Sequence, residues 1–119
     1  MARRTNFPGG IKGPLTFSGS ATATAGAATL ASLGGKVTTE ALTTAQNAIY
    51  TLTIANTKVA AADLAFASVA LGGATTGTPM IGSVTCGANS LVITVINKHA
   101  TAVAFDGTLV VSFWVVKAE

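Results

Sequence analysis

Few side chains in this sequence have the chemistry of a catalytic or metal-binding group. The 119 residues contain one histidine, His99, one cysteine, Cys86, and four acidic residues. His99 lies in the segment NKHATA without a cysteine or carboxylate at ligand spacing, whereas a zinc site needs three or four ligands. A catalytic histidine needs a nucleophile and an orienting partner, and the sequence identifies neither. We therefore interpret His99 as a turn or interface residue.

The cysteine and the acidic residues are also explained by structural roles. Cys86 precedes a glycine and has no neighbouring cation to activate its thiol, so we interpret it as a small buried hydrophobic residue. Asp63 borders an apolar run, and Asp106 precedes a glycine in FDGT, a pattern in which Asp bonds to its own turn backbone. Paired carboxylates for glycoside hydrolysis are conceivable, but nothing in the sequence brings two of them together. We expect no catalytic residue, no metal and no cofactor.

Contact with a partner is the role that the sequence assigns to a different group of residues. Three cations lie in the first twelve residues, close to aromatic side chains, and the only tryptophan lies near the end of the chain. The candidates for partner contact are Arg3, Arg4, Phe7, Lys12, Phe17 and Trp114. Nucleic-acid binding requires more cations interleaved with aromatic residues, so an acidic protein surface suits this basic arm at least as well. We expect neither nucleic acid nor a membrane as a partner.

The composition indicates a protein that is not a free monomer in solution. Hydrophobic residues make up 50% of the chain and charged residues 9%, against about 25% charged in an average domain. Intrinsic disorder is excluded because it requires low hydrophobicity and high charge. Free monomers keep themselves soluble with charged side chains, so much of this surface is expected to lie in contacts. No apolar run reaches the roughly 20 residues of a membrane-spanning helix, and synthesis in a cytoplasm is expected.

The pattern along the chain predicts an extended arm followed by one β domain. Residues 1–20 contain two prolines and four glycines, which suit neither a helix nor a central strand. From residue 21 to 119, short β-compatible runs alternate with turn signals. The segment AIYTLTIAN alternates apolar and polar residues, as a half-buried strand does. These features predict an all-β fold, an antiparallel β-sandwich or jelly-roll-like domain, with an extended N-terminal arm.

The terminal run GTLVVSFWVV, residues 107–116, is apolar at both even and odd positions. A strand with one face in water alternates with polar residues, so both faces of this strand are expected to be covered. We expect the second sheet of a sandwich and a neighbouring subunit to cover different positions along it.

The second half of the chain resembles small β-sandwich virion proteins of tailed bacteriophages. The resemblance covers roughly residues 48–116 and rests on the threonine-rich YTLTI strand, the GGATTGTP loop, the ITVIN strand and the closing GTLVVSF. These relatives are capsid decoration (cement) proteins and related tail or fibre modules. The resemblance implies a non-enzymatic homo-oligomer, a dimer or trimer, that bridges major capsid protein subunits on the exterior of the virion. It assigns no catalytic or binding residue.

Two other functions remain open at this point. A tail or fibre module that recognises a host glycan or protein would need exposed aromatic residues on its loops, and GGATTGT and CGANS contain none. A small hydrolase on a jelly-roll scaffold would need a convergent acid, base or metal site, for which this sequence offers few residues.

Overall fold

The computed structural model describes residues 19–118, which form eight β-strands and no helix. The strands are β1 (Ser20–Thr22), β2 (Ala27–Thr29), β3 (Gly34–Thr38), β4 (Ile49–Ala55), β5 (Leu64–Leu71), β6 (Pro79–Gly87), β7 (Ser90–Asn97) and β8 (Leu109–Val116). The expectation of an all-β fold is confirmed. Within the described range no helix is long and apolar enough to cross a membrane.

The strands form two four-stranded sheets that share one hydrophobic core. Sheet A has the order β1-β3-β8-β5, and sheet B has the order β2-β4-β7-β6. Val37 and Val111 from sheet A and Leu52 and Ile93 from sheet B are all fully buried within a single cluster. The two sheets therefore pack against each other in a sandwich-like arrangement, with side chains from the two inner faces filling the space between them.

Both sheets are mixed, which corrects the expectation of a purely antiparallel arrangement. β1 pairs with β3 in parallel, with Ser20 opposite Lys36, and β2 pairs with β4 in parallel, with Ala27 opposite Thr53. The reason is that successive strands from β1 to β4 alternate between sheet A and sheet B. The chain therefore reverses direction twice between two strands that are neighbours in the same sheet. The other strand pairs are antiparallel. The jelly-roll expectation is not confirmed, because β3 lies between β1 and β8.

A tight turn makes the first of these reversals possible. Ala25 and Gly26 both have positive φ, 51° and 79°, and Thr24 and Ala27 exchange two backbone hydrogen bonds around them. This is the two-residue hairpin geometry in which both central residues are left-handed. A Cβ atom on Gly26 would lie 2.8 Å from the Thr51 carbonyl oxygen, so glycine is required there.

The terminal strand β8 is covered by the other sheet on one face only. Leu109, Val111, Phe113 and Val115 point into the core and are buried. The alternate positions point away from sheet B, and Trp114 is 41% exposed there. Coverage of the second face by a neighbouring subunit stays a prediction.

The predicted arm, residues 1–20, lies almost wholly outside the described residues. Arg3, Arg4, Phe7, Lys12 and Phe17, the candidates for partner contact in that arm, all fall in this undescribed segment. Its last residue, Ser20, begins β1, one position before the predicted start of the domain.

Candidate interaction surface

The outer face of sheet A carries a row of large apolar side chains on β5 and β8. The four side chains are strongly exposed for their type: Leu64 63%, Phe66 55%, Trp114 41% and Val116 37%. Leu64 lies opposite Val116 and Phe66 lies opposite Trp114 in the antiparallel register. We call these four residues the β5–β8 face. Scattered exposed apolar residues are normal, but a contiguous group of this kind is typical of an interaction surface.

Strand geometry explains why these four residues form one group. Side chains alternate across a strand, so the even-numbered positions of β5 and β8 point outward together while the odd-numbered positions face the core. The rings of Phe66 and Trp114 are 5.7 Å apart between centroids and tilted by 35°, within the range for attractive aromatic pairs. This pair fixes the shape of the face. A shallow depression of about 250 Å³ lies beside it, lined also by Ser68 and Ser112.

Charge is almost absent from the sheets. Lys36 in β3 is the only charged residue within the eight described strands. Its ammonium group contacts the Ser112 hydroxyl at 3.4 Å beside the β5–β8 face. A partner of this face therefore meets an apolar surface with Lys36 beside it, and no acidic side chain lies in these strands.

The outer face of sheet B has a different chemistry. Thr51 and Thr53 of β4 and Thr94 of β7 line its middle, and Thr51 lies directly opposite Thr94. Apolar exposure is confined to one end, where Ile49 is 61% and Met80 is 51% exposed. Threonine hydroxyls are hydrated without carrying charge, so this face suits water. The contrast makes the β5–β8 face the stronger candidate for a contact.

Asp63 joins the end of β8 to the loop that precedes β5. Its carboxylate accepts hydrogen bonds from the Lys117 ammonium group at 2.5 Å, from Ala60 N at 2.8 Å and from Ala118 N at 3.0 Å. These bonds, with that from Lys117 the largest contribution, lower the pKa of Asp63 to about 2. Asp63 therefore holds one end of the β5–β8 face in place rather than acting as an acid or base.

Asp106 performs the same task at the other end of β5. Its carboxylate accepts hydrogen bonds from Thr75 N and Thr75 Oγ1, both at 2.6 Å, and from Thr76 N at 3.0 Å. The Thr75 side chain contributes most to lowering the pKa of Asp106 to about 2. The turn role predicted for Asp106 is thus corrected in detail: its bonds join two distant loops rather than its own backbone.

Two buried polar groups with structural roles were missed by reasoning from the sequence. The Asn97 side chain donates to the carbonyls of Thr44 and Val103 and accepts from the N–H groups of Thr78 and His99. The second group is the hydrogen-bonded pair of Glu40 and Tyr50. No spacing signal could have revealed the Asn97 contacts, because three of its four partners come from loops remote in the sequence or across a turn.

Glu40 connects the first hairpin to sheet B. Its carboxylate accepts a hydrogen bond from the Tyr50 hydroxyl at 2.9 Å and another from Gly26 N at 2.8 Å. Burial, followed by the hydrogen bond to Glu40, raises the pKa of Tyr50 well above its usual range. A tyrosine held protonated in this way is a hydrogen-bond donor and not a catalytic base.

The histidine and the cysteine have structural surroundings. The Nδ1 atom of His99 lies 3.2 Å from Thr101 N, which donates to it within the turn after β7. Cys86 is half-buried in β6 and packs against the core, and burial raises the pKa of its thiol. His99 lies in a turn, as the sequence indicated, whereas Cys86 is only partly buried rather than buried.

Residues 19–118 contain no group of three or more histidine, cysteine or acidic side chains that could hold a metal ion. Phe105, the aromatic residue of the loop before β8, is only 2% exposed and so is not displayed for stacking on a sugar. No protein-family model, curated protein or solved structure matches this chain. The β5–β8 face is therefore the feature from which a function is argued.

Proposed function

We propose that this protein is a bacteriophage capsid decoration protein that binds the assembled shell as a homo-oligomer and bridges major capsid protein subunits. Its site of action is the capsid exterior. The observation that carries the proposal is the β5–β8 face, where four large side chains remain exposed and the strands described within residues 19–118 contain one charged residue. The resemblance of residues 48–116 to small virion β-sandwich proteins supports the same conclusion.

Weak contacts are sufficient for this task. A protein that binds the assembled shell but not the free capsid subunit stabilises the shell by its binding free energy, through mass action. Many copies act on one particle, and linked copies gain effective concentration. An apolar face of moderate size, repeated over a lattice, then provides the stabilisation that no single contact provides. In this proposal the sandwich-like domain is completed by the basic arm of residues 1–20, which adds contacts to acidic side chains.

The proposal is tested by adding the purified protein to undecorated shells and measuring occupancy. Leu64→Ser and Phe66→Ser should each lower occupancy at least tenfold at limiting protein, because each removes apolar contact area. The matched controls are Ile49→Ser and Met80→Ser, whose side chains have nearly the same exposure on the outer face of sheet B. Equal occupancy for all four variants and the unmodified protein would refute the role of the β5–β8 face.

The arm is tested separately by removing residues 2–14. Its cations act through charge, so occupancy should fall and the remaining binding should lose most of its salt dependence. If occupancy at low and high salt is unchanged by the deletion, the arm has no such role.

A further inference from the structure

The four edges of the two sheets are not equally protected against pairing with another strand. β1 and β2 are three residues long, and short edge strands offer little to pair with. β6 begins with Pro79 and is interrupted by a register shift between Ile81 and Ser83, two features that also block edge pairing. β5 is eight residues long and pairs with β8 in unbroken register from Leu64 to Leu71. It contains neither proline nor a charged residue.

The hydrogen-bonding direction of β5 follows from its junction with β8. Gly72 N donates to Thr108 O at 3.0 Å, and the register places residue 72 opposite residue 108. Residues in an antiparallel pair alternate between hydrogen-bonded and non-hydrogen-bonded positions, so the even-numbered residues of β5 bond to β8. The N–H and C=O groups of Ala65, Ala67 and Val69 therefore point to the outer edge. β8 is the only strand with which β5 pairs among the described residues.

The native proline of β6 shows how this chain closes an edge. Lys98 N donates to Thr78 O at 2.8 Å, which makes residues 78 and 98 a hydrogen-bonded pair in the register that continues through Pro79 and Asn97. Pro79 thus stands at a position whose N–H would point outward. The equivalent outward positions of β5 are alanine and valine, so no proline closes this edge; β6 of sheet B packs beside β5 without hydrogen-bonded pairing to it.

We propose that β5 pairs antiparallel with β5 of a second copy of this chain, joining the two A sheets across a two-fold axis. A second copy fits this edge because two-fold pairing gives each outward N–H and C=O group of β5 a partner on the other copy. β5 also contains no charged side chain, so the pairing brings no like charges together across the axis. The outer faces of the two A sheets then lie side by side, so that the two β5–β8 faces belong to one continuous surface.

This inference deepens the self-association part of the proposed function and rests on it. The dimer supplies two copies of the β5–β8 face, held coplanar, to the shell. Because the pairing uses backbone groups at the edge and the shell contact uses side chains on the face, the two can be tested apart. Solution mass measured without shells reports on the dimer alone, whereas occupancy on shells reports on the proposed function.

The test is the mass of the full chain in solution by analytical ultracentrifugation, for the unmodified protein and three variants. Ala67→Pro places a proline ring at an outward position of β5 and removes no hydrogen bond to β8. Ser68→Lys places like charges near the two-fold axis on an exposed outer position. Thr51→Lys is the control, with the same charge added to an exposed position of β4 in the other sheet. Far-ultraviolet circular dichroism establishes that each variant is folded.

We expect a dimer for the unmodified protein and for Thr51→Lys, and a monomer for Ala67→Pro and Ser68→Lys. Hydrogen exchange adds a residue-level measurement: the amides of Ala65, Ala67 and Val69 should exchange at least tenfold faster in Ser68→Lys than in the unmodified protein. If Ala67→Pro fails to fold, Ser68→Lys carries the test by itself. A monomeric unmodified protein, a dimeric folded Ser68→Lys, or unchanged exchange at these amides would overturn the proposal.

Discussion

Replacing Asn97 with alanine should destabilise the fold more than the same replacement at Asn56, because Asn97 makes twice as many side-chain hydrogen bonds. Asn97 and Asn56 are equally buried, at 0% and 1% exposure. Asn97 makes four bonds with its side chain. Asn56 makes two, donating to Ser32 O at 2.6 Å and accepting from Lys58 N at 3.1 Å. The pair is thus matched in residue type, burial and the volume removed.

The magnitude follows from the number of bonds. A buried hydrogen bond contributes about 1 kcal/mol net to the free energy of unfolding, so Asn97→Ala should lose about 4 kcal/mol and Asn56→Ala about 2 kcal/mol from this source. The Thr44 carbonyl also accepts a hydrogen bond from Phe105 N, so it keeps this partner when the Asn97 side chain is removed. The loss for Asn97→Ala should therefore be somewhat smaller than four independent bonds would give. The cavity cost is common to both variants and cancels in the comparison.

The assay is thermal and urea unfolding followed by circular dichroism. A difference of about 2 kcal/mol between the two variants corresponds to about 8 °C in Tm for a domain of this size. Asn97→Asp, which keeps the volume but faces the carbonyls of Thr44 and Val103 with an acceptor, should be at least as destabilised as Asn97→Ala at pH 7. Equal losses for Asn97→Ala and Asn56→Ala would refute the argument from hydrogen-bond number.

Three further predictions follow from named contacts. The pKa values of Asp63 and Asp106, both about 2, lie below the value of about 3.9 for an unfolded chain, so the unfolded state takes up protons first as pH falls. The free energy of unfolding should therefore decline as pH falls from about pH 5 toward pH 2, and Asp63→Asn and Asp106→Asn should each flatten that decline in urea titrations across pH. Gly77→Ala should lower the free energy of unfolding by more than about 2 kcal/mol, because Gly77 has φ 95° and its added Cβ would clash with the Phe105 ring. Gly87→Ala, at negative φ, is the comparison in the same unfolding measurement. Glu40→Ala should lower the free energy of unfolding by about 1–3 kcal/mol, because it leaves the Tyr50 hydroxyl and Gly26 N without their acceptor, whereas Glu40→Gln should keep most of it; equal urea midpoints for the two variants would contradict this.

The central strands could be predicted from the sequence because their side chains alternate. Tyr50, Leu52 and Ile54 of β4 are buried and the threonines between them are exposed, as the period-2 pattern indicates. Local patterning suffices for such strands, since the sheet period and the burial of one face determine them together.

The two-sided apolar strands show the limit of that reasoning. β8 was expected to need cover on both faces, but sheet B covers only its odd-numbered positions. The sequence cannot distinguish a face buried within one chain from a face kept for a partner, because both demand the same side chains. For β8 this left the orientation of Trp114 unstated, and its contact with a partner stays a prediction.

The polar contacts depend on the tertiary arrangement and were beyond prediction. Asn97 ends an apolar strand, where asparagine is an ordinary turn residue, and only the fold brings Thr44 and Val103 to its side chain. Glu40 and Tyr50 are ten residues apart. The loop between them has no periodic hydrophobic pattern that would indicate that their side chains meet. The parallel pairing of β1 with β3 and of β2 with β4 could not be predicted either. Strands of three small residues carry no signal of their direction.

The structure gives the low charge of this chain a definite location. A uniformly uncharged surface would make the protein poorly soluble in every direction, whereas here the largest contiguous apolar group is the β5–β8 face and a smaller one, Ile49 and Met80, lies at one end of sheet B. Threonine hydroxyls cover the middle of sheet B, where Thr51 and Thr94 face each other, and the three edges other than β5 are short or closed by Pro79 and a bulge. A surface so unevenly divided directs association to the β5–β8 face, and this argues for assembly in a defined geometry.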